Sequence, residues 1–362
     1  MKILLLGEYS AVHCTLARGL RIWGHKVTLM SNGDFWKNYP RDVDLARHPG
    51  KFGGVALMSK VCSLLPWLKG YDVVQLINPM FLELKAARLF PLYHYLRRHN
   101  GKMVLGAFGM DYYWVNTCST TMPLRYSDFN IGSTLRTNAD ALKERKEWLG
   151  TDKEKLNKYI AEDADGIVAG LYEYWACYHP LFPDKTTFIP YPICLPRPKP
   201  LVHNKRLKVF IGINRSRNEY KGTDIMLAAA QRLQQQYSDK MELVKVESVP
   251  FEEYQRLMDG SDVILDQLYS YTPSMNSLLA MSKGIVVVGG GEPENYEIIN
   301  EHELRPIINV LPTEESVYQQ LEQLLLHPER LDTLKRQSIE YIKRHHEYIY
   351  VAGLYIDWYK TL

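Results

Sequence analysis

Cysteine is scarce in this 362-residue sequence, and its five cysteines are scattered along the chain: Cys14, Cys62, Cys118, Cys177 and Cys194. No two of them have the CxxC spacing, so the sequence predicts neither a disulfide framework nor a zinc site. Thiols without a disulfide pattern are typical of proteins of the reducing cytoplasm, where we expect this chain to reside.

Long apolar runs are also missing. No apolar segment approaches the roughly 18 to 20 residues that a membrane-spanning helix needs. The opening segment MKILLLGEYS has one lysine and a short apolar run that breaks at Gly7. The run lacks the length and the small-residue cleavage site of a secretory signal. We therefore interpret it as a first β-strand.

Charge is present in both signs but is unevenly distributed. Residues 1–200 contain more Lys and Arg than Asp and Glu, whereas residues 201–362 are net acidic. A basic half can indicate a surface that meets an anionic partner such as phosphate-bearing lipid. Helix faces that are simply solvated would give the same composition, so both interpretations stay open.

Strand-like and helix-like segments alternate along the chain. Residues 1–187 contain the apolar segments KILLLG, HKVTLM, YDVVQLI, KMVLGAF and DGIVAG. A proline-dense segment, residues 188–205, then predicts an interdomain linker. The alternation restarts with LKVFIGI, MELVKV, SDVILDQ, GIVVVGG and LRPIINV. The sequence thus predicts an α/β protein of two doubly wound Rossmann-like domains, residues 1–200 and 206–345, facing one another across a cleft.

The first candidate site is the loop GINRSRNEYKG, residues 212–222, between a predicted strand and a predicted helix. Arg217 and Lys221 are four residues apart, with Arg215 nearby. At the start of a helix their charges would combine with the free N–H groups of its first turn, which suits a diphosphate. The alternative is that these side chains are solvated charges beside a turn.

The second candidate site spans two further strand-to-helix loops. Free N–H groups on Met275, Asn276 and Ser277 would offer another anion site. The segment GGGEPE, residues 289–294, would let backbone approach a ligand while Glu292 and Glu294 contact hydroxyl groups. Including Gly7 after the first strand, the predicted ligand-binding residues are Gly7, Arg215, Asp266, Ser274, Met275, Asn276, Gly290, Gly291, Glu292 and Glu294. The chain has no GxGxxG motif in these loops, which disfavours a nicotinamide cofactor.

At these loops the sequence resembles the C-terminal domain of GT-B glycosyltransferases, particularly the retaining family 4. The resemblance lies in RNEYKG, LLAMSKGIVVVGG and GGGEPE, within residues 207–300, and extends more loosely to the whole chain. It implies the GT-B fold, with residues 346–362 forming a C-terminal helix that crosses back onto the first domain. Family 4 also carries two glutamates with seven residues between them, and their positions here hold Tyr271 and Leu279.

The resemblance implies transfer of a sugar from a nucleoside-diphosphate sugar, with no other cofactor. Arg217 and Lys221 would stabilise the leaving diphosphate. The loops of the two candidate sites contain no metal-ligand cluster or DxD pair, so we expect no metal requirement. Asp111 in LGAFGMDYYW is predicted to contact an acceptor hydroxyl, and His13 to face the cleft. For both residues a structural role, a cap or a satisfied buried histidine, is the alternative.

The predicted function is therefore a hexosyltransferase of bacterial surface polysaccharide, capsule or glycolipid assembly. Its partners would be the sugar nucleotide and a carbohydrate or polyprenyl-linked acceptor, with peripheral contact to the anionic inner membrane and no nucleic acid. Two alternatives remain, a GT-B nucleotide-sugar epimerase and a non-catalytic sugar-nucleotide-binding homologue.

Overall fold

The computed structural model describes residues 1–214 and 218–362 and divides into two compact units. Unit 1 comprises Met1–Pro123, Glu144–Pro192 and Tyr348–Leu362. Unit 2 comprises Leu124–Lys143 and Ile193–Glu347. Leu124–Lys143 fall inside the range predicted for the first domain, and the structure places them in unit 2.

The elements of the described residues alternate between strand and helix along most of the chain. The strands are β1 Lys2–Leu6, β2 Lys26–Ser31, β3 Val43–Asp44, β4 Val73–Leu76, β5 Lys102–Ala107, β6 Asn130–Ile131, β7 Thr134–Leu135, β8 Gly166–Ala169, β9 Thr186–Phe188, β10 Leu207–Ile213, β11 Met241–Glu247, β12 Val263–Asp266, β13 Val286–Gly289 and β14 Ile308–Asn309. The helices are α1 Val12–Ile22, α2 Gly53–Leu64, α3 Ala86–His99, α4 Tyr112–Thr120, α5 Ala139–Trp148, α6 Asp152–Asp163, α7 Tyr172–Tyr178, α8 Asn218–Lys221, α9 Thr223–Gln236, α10 Phe251–Met258, α11 Met275–Ser282, α12 Pro293–Ile298, α13 Glu314–Leu326, α14 Glu329–Tyr341 and α15 Tyr348–Thr361.

Unit 1 is built on a seven-stranded parallel sheet of order β3-β2-β1-β4-β5-β8-β9. Leu6 of β1 is in register with Met30 of β2 and Leu76 of β4. The strand order reverses at β1 and β4, which is where ligands bind in doubly wound sheets. All four residues of β4 are buried, as expected for a strand covered on both faces.

The C-terminal helix α15 packs on α1, which confirms the predicted return of the chain onto the first domain. Gly19 in α1 permits this packing. A Cβ atom there would lie 2.5 Å from the carbonyl oxygen of Tyr348 and 2.6 Å from Cβ of Ala352. The hydroxyl of Tyr359 donates a hydrogen bond of 2.6 Å to Gln75 in β4, so α15 is also tied to the sheet.

Unit 2 is built on a five-stranded parallel sheet of order β11-β10-β12-β13-β14. A buried ion pair joins this sheet to α14, since the ammonium of Lys335 lies 2.6 Å from the carboxylate of Asp262. Two parallel sheets with helices between successive strands confirm the predicted α/β class. Phe188, the predicted start of the linker, is instead the last residue of edge strand β9. Among the described residues, no helix is both long and apolar enough to cross a bilayer.

Replacing Gly19 with valine is expected to destabilise the protein by about 1–3 kcal/mol, because the side chain has no space between α1 and α15. Urea unfolding of the two proteins would measure this loss. Ile22→Ala on the same helix is the control, since Ile22 is exposed and its loss should change stability by less than about 0.5 kcal/mol. Equal stabilities for the valine variant and the unchanged protein would contradict the observed packing.

Candidate functional site

The candidate site lies at the carboxyl edge of the unit 2 sheet. Strands β10, β12 and β13 are neighbours, so the loops that follow them lie side by side. The loop after β10 contains Arg215 and Arg217, which lie outside the described residues. Of the three cationic residues predicted to bind the diphosphate, Lys221 is therefore the one that lies within the described residues.

Lys221 ends α8 and joins two of these loops. Its carbonyl oxygen accepts the backbone N–H of Leu268, in the loop after β12, at 3.0 Å. Gly222 follows with a φ of 69°, and a Cβ atom there would lie 2.7 Å from the side chain of Leu268, so glycine is required. The ammonium of Lys221 makes no hydrogen bond or ion pair with any residue that the structure describes. It is therefore available to an anion.

The first turn of α11 is held by Asp266 at the end of β12. The carboxylate of Asp266 accepts hydrogen bonds from the hydroxyls of Ser277 at 2.7 Å and Ser274 at 3.3 Å. The side chain of Ser274, at the N-cap position, accepts no hydrogen bond from the helix backbone. Within the described part of the chain, the N–H groups of Met275 and Asn276 consequently lack an acceptor, as at any uncapped helix start. At the predicted anion site, these two N–H groups are therefore not used by any described protein group.

The glycine triplet after β13 is crowded by protein atoms. A Cβ atom on Gly290 would lie 2.3 Å from the carbonyl oxygen of Ser270, and one on Gly291 would lie 2.7 Å from the side chain of Ile307. These glycines were expected to let backbone approach a ligand. In this structure the close approach is made by the chain itself.

Residues Leu124–Lys143, which we call the strap, contact the loops after β10, β12 and β13. The strap contains the antiparallel hairpin of β6 and β7. Arg125 donates to Glu292 at 2.7 Å and to Glu294 at 2.6 Å, and the hydroxyl of Tyr126 donates to the other oxygen of Glu292. Both carboxylates that were predicted to contact ligand hydroxyls are therefore engaged by the strap.

The electrostatics of this cluster follow from burial and charge. Burial, the largest single influence, would raise the pKa of Glu294. The hydrogen bond from Arg125, a hydrogen bond from the backbone N–H of Glu294 and the charge of Arg125 together outweigh burial and hold that pKa below its ordinary value. Glu294 in turn raises the pKa of Arg125. Burial, followed by the hydrogen bond to Glu292, raises the pKa of Tyr126. The cluster thus favours a charged Glu294 and a neutral Tyr126.

Tyr271, at the first position where the resemblance implies a glutamate, anchors the strap. Its hydroxyl accepts the backbone N–H of Arg125 at 2.6 Å, and its ring centre lies 5.0 Å from that of Tyr126. The guanidinium of Arg125 lies 4.8 Å from the Tyr271 ring centre. Leu279, at the second position, is half-buried in α11. Tyr271 thus binds Arg125 of the strap at a position where the resemblance implies a carboxylate that contacts the donor.

The far end of the strap holds the segment that precedes Lys221. Arg136 donates to the carbonyl oxygens of Glu219 at 2.6 Å and Tyr220 at 3.3 Å. Its guanidinium also lies 3.6 Å from the ring centre of Tyr269. The hydroxyl of Tyr220 donates to the carboxylate of Asp128 at 2.5 Å. Sequence reasoning missed these residues, because their partners are more than 80 positions away in the chain.

In unit 1, His13 is fully buried beside the first strand. Burial lowers its pKa to about 3, so the ring is neutral. Its Nδ1 donates to the carbonyl oxygen of Gly7 at 2.9 Å, and its Nε2 accepts from Gln75 at 3.1 Å. Gly7 has a φ of 84°, and a Cβ atom there would lie 2.2 Å from Ile77. These contacts match the structural alternative, and ligand contact by Gly7 and His13 stays a prediction.

Asp111 has the capping role given as its alternative. It is fully buried at the N-cap of α4, accepting the N–H of Trp114 at 2.8 Å and the hydroxyl of Tyr178 at 2.7 Å. Burial outweighs these bonds and raises its pKa to about 7. Contact with an acceptor hydroxyl stays a prediction.

Glu8 is a buried acid that the sequence analysis did not single out. It follows β1 and accepts the N–H groups of His13 at 3.3 Å and Cys14 at 2.7 Å, which caps α1. Burial raises its pKa to about 8. The sequence signal that could have identified Glu8 is an acidic residue two positions after the end of an apolar strand. Among the described residues, no three His, Cys, Asp or Glu side chains are grouped so that they could hold a metal ion.

Replacing Arg125 with methionine is expected to lower the free energy of unfolding by about 1–3 kcal/mol, because buried Glu292 loses a charged donor. Adding Glu292→Gln should recover part of that loss, since the amide carries no charge. Chemical denaturation would compare the variants. The matched control is Arg232→Met, whose partners Glu314 and Glu315 are exposed, with an expected change of less than about 1 kcal/mol. A similar loss in both arginine variants would contradict a structural role for the strap.

Asp111 should make stability fall as pH rises. Its pKa is about 7 in the folded protein against an ordinary 3.8, so the folded state binds the proton more tightly between these values. The unchanged protein should therefore lose stability relative to Asp111→Asn as pH rises through this window. Denaturation curves at several pH values would measure the difference. Parallel pH profiles for the two proteins would exclude the raised pKa.

The comparisons with known proteins agree with this architecture. No protein-family model and no curated protein sequence matches the chain. Among solved structures, sucrose-phosphate synthase from Thermosynechococcus elongatus matches with a TM-score of 0.65 and 12% identity, over 100% of this chain and 99% of that one. HepE from Anabaena, in complex with UDP and glucose, matches with a TM-score of 0.62 and 12% identity over 100% of both chains.

The fold is shared with isomerases as well as transferases. UDP-GlcNAc 2-epimerase from Neisseria meningitidis, bound to UDP-GlcNAc, matches with a TM-score of 0.52 and 12% identity over 100% of both chains. At such identities the likeness shows the fold alone, and membership of family 4 stays a prediction. The chain therefore has the GT-B fold, which it shares with glycosyltransferases and with UDP-GlcNAc 2-epimerases.

Proposed function

We propose that this chain is a glycosyltransferase whose nucleoside-diphosphate sugar binds at the carboxyl edge of the unit 2 sheet. The observation that carries the proposal is the pairing of Lys221, whose ammonium has no partner in the described residues, with the uncapped start of α11. The backbone hydrogen bond from Leu268 to Lys221 joins the two loops that carry these features. A cation and free N–H groups at one edge suit a diphosphate.

The chemistry of transfer gives Lys221 its role. As the bond between the sugar and the diphosphate breaks, negative charge develops on the leaving diphosphate. A cation held in place before the reaction stabilises that charge without reorganising, so it acts on rate as well as on affinity. Arg215 and Arg217 would add to it from the same loop. Two or three fixed cations can take the place of a divalent ion, so we expect turnover in the presence of a chelator.

The strap limits what the donor sugar can contact. Both carboxylates have both oxygens engaged, Glu292 by Arg125 and Tyr126 and Glu294 by Arg125. The side chain of Glu294 is the more exposed of the two, at 21% against 6% for Glu292. Glu294 is therefore the better candidate for a sugar hydroxyl, and the N–H groups of Met275 and Asn276 for phosphate oxygens. We assign Asp266, Ser274, Gly290 and Gly291 to holding these groups in place. Retention of configuration, expected from the resemblance to family 4, is part of the proposal.

The acceptor and the setting follow from the same expectations. We infer a carbohydrate or polyprenyl-linked acceptor bound by unit 1, within bacterial surface polysaccharide or glycolipid assembly. The basic excess of residues 1–200 favours an anionic partner, consistent with a cytoplasmic protein in peripheral contact with the inner membrane.

A second candidate function is epimerisation of a nucleotide sugar. The observation that favours it is Glu8, a buried acid with a pKa of about 8 at the carboxyl edge of the unit 1 sheet, because epimerisation needs acid and base groups. Release of free nucleoside diphosphate only when an acceptor is supplied would distinguish transfer from epimerisation.

We expect UDP or another nucleoside diphosphate to raise the melting temperature, because a ligand that binds only the folded state stabilises it. Lys221→Ala should remove most of that shift. Lys205→Ala is the matched control, since Lys205 is exposed and precedes β10 at the opposite edge of the same sheet. A thermal-shift panel of nucleoside diphosphates and sugar nucleotides would measure both. An undiminished shift in Lys221→Ala would place the diphosphate elsewhere.

A further inference from the structure

Unit 1 contains a cavity that none of the predicted site residues lines. Its volume is about 220 Å³, and it lies between the start of α2 and the start of α3. Four cationic side chains line it, together with one carboxylate, Glu83. The four cations are Arg47, Lys51, Lys85 and Arg88.

These four charges are not neutralised by the protein. None of them forms an ion pair with any residue that the structure describes. The guanidinium of Arg88 has one long hydrogen bond, of 3.4 Å, to the carbonyl oxygen of Gly54. The carboxylate of Glu83 accepts the backbone N–H of Arg47 at 3.1 Å rather than a charged group. Four like charges around one cavity repel each other, and an anion in the cavity would relieve that repulsion.

The backbone adds positive potential to the same place. Gly54, in the first turn of α2, lines the cavity, and Lys85 is the N-cap residue of α3. Both helices therefore direct the positive end of their dipoles towards the cavity. The arginines supply donors in the forked geometry that matches phosphate oxygens.

The rim of the cavity is apolar and exposed. Val55 lines the cavity and is 56% exposed, and Phe52, directly before α2, is 81% exposed. Among the twelve residues of α2, Lys60 is the one that carries a charge. A soluble anion gains nothing from such a rim. A phosphate group attached to an apolar body would bind both features.

We propose that this cavity binds the phosphate group of an anionic lipid, with Phe52 and Val55 contacting the lipid's apolar part. The site is separate from the proposed diphosphate site of unit 2. The inference extends the proposed membrane contact and does not depend on which reaction the chain performs. It also explains why the cations of the cavity form no ion pair with the residues that the structure describes.

The test uses the full chain carrying Lys221→Ala, so that the proposed diphosphate site is weakened in every variant compared. Co-sedimentation with vesicles of phosphatidylglycerol and phosphatidylcholine is compared with vesicles of phosphatidylcholine alone. We expect strong preference for the phosphatidylglycerol vesicles, reduced at least about tenfold by Arg47→Gln with Arg88→Gln. Lys26→Gln with Arg98→Gln removes the same charge from exposed positions of unit 1 outside the cavity and should change binding by less than about twofold.

Three results would overturn the proposal. Equal losses of vesicle binding in the cavity variant and in the Lys26→Gln with Arg98→Gln control would show that the vesicles attract net charge alone. Equal sedimentation of the cavity variant and its parent would show that the cavity takes no part. Inorganic phosphate that binds as tightly as the lipid, measured by calorimetry, would assign the cavity to a free anion. If the double arginine variant has a lower melting temperature than its parent, Lys51→Gln with Lys85→Gln replaces it. Phe52→Ser with Val55→Ser should also weaken co-sedimentation with the phosphatidylglycerol vesicles, because it removes the apolar rim.

Discussion

The organisation of unit 2 depends on one buried carboxylate. Glu292 is 5% exposed, and a buried charge is tolerated only with partners for its oxygens. Both partners, Arg125 and Tyr126, come from the strap. Since Asp128 and Arg136 hold the strap to α8, fixing one end helps to fix the other. The three loops at the carboxyl edge of this sheet are therefore held as one set.

The strap also decides which groups at that edge remain for a ligand. It engages Glu292 and Glu294, and Asp266 is occupied by the hydroxyls of Ser274 and Ser277. The acceptor groups of the edge are thus largely used by the protein. Among the residues that the structure describes at this edge, an ammonium and the N–H groups of a helix start stay available, and these are positive or partly positive. Such a surface favours an anionic group such as a diphosphate over a neutral sugar.

The longer strands of both sheets could be predicted because their signals are local, whereas the short edge strands β3 and β9 were missed. Segments such as LKVFIGI are buried on both faces and appear as continuous apolar runs. The strap could not be predicted, because its strands have two residues each and its contacts join residues far apart in sequence. The glycine pattern indicated close approach at Gly290 and Gly291 but could not reveal that protein atoms make that approach. At Asp111 and His13 the residue types fitted two roles, and only burial and partners favour one of them.

The basic excess of residues 1–200 separates into two classes once the structure is known. Arg125 and Arg97 are neutralised by carboxylates, and Arg136 is held by carbonyl oxygens and a tyrosine ring. These charges serve the fold and offer little to a partner. The cations of the unit 1 cavity have no such compensation among the described residues, although they lie close together. Composition counts both classes alike, whereas the free energy of binding an anion depends on the second alone, because only uncompensated charge attracts it strongly.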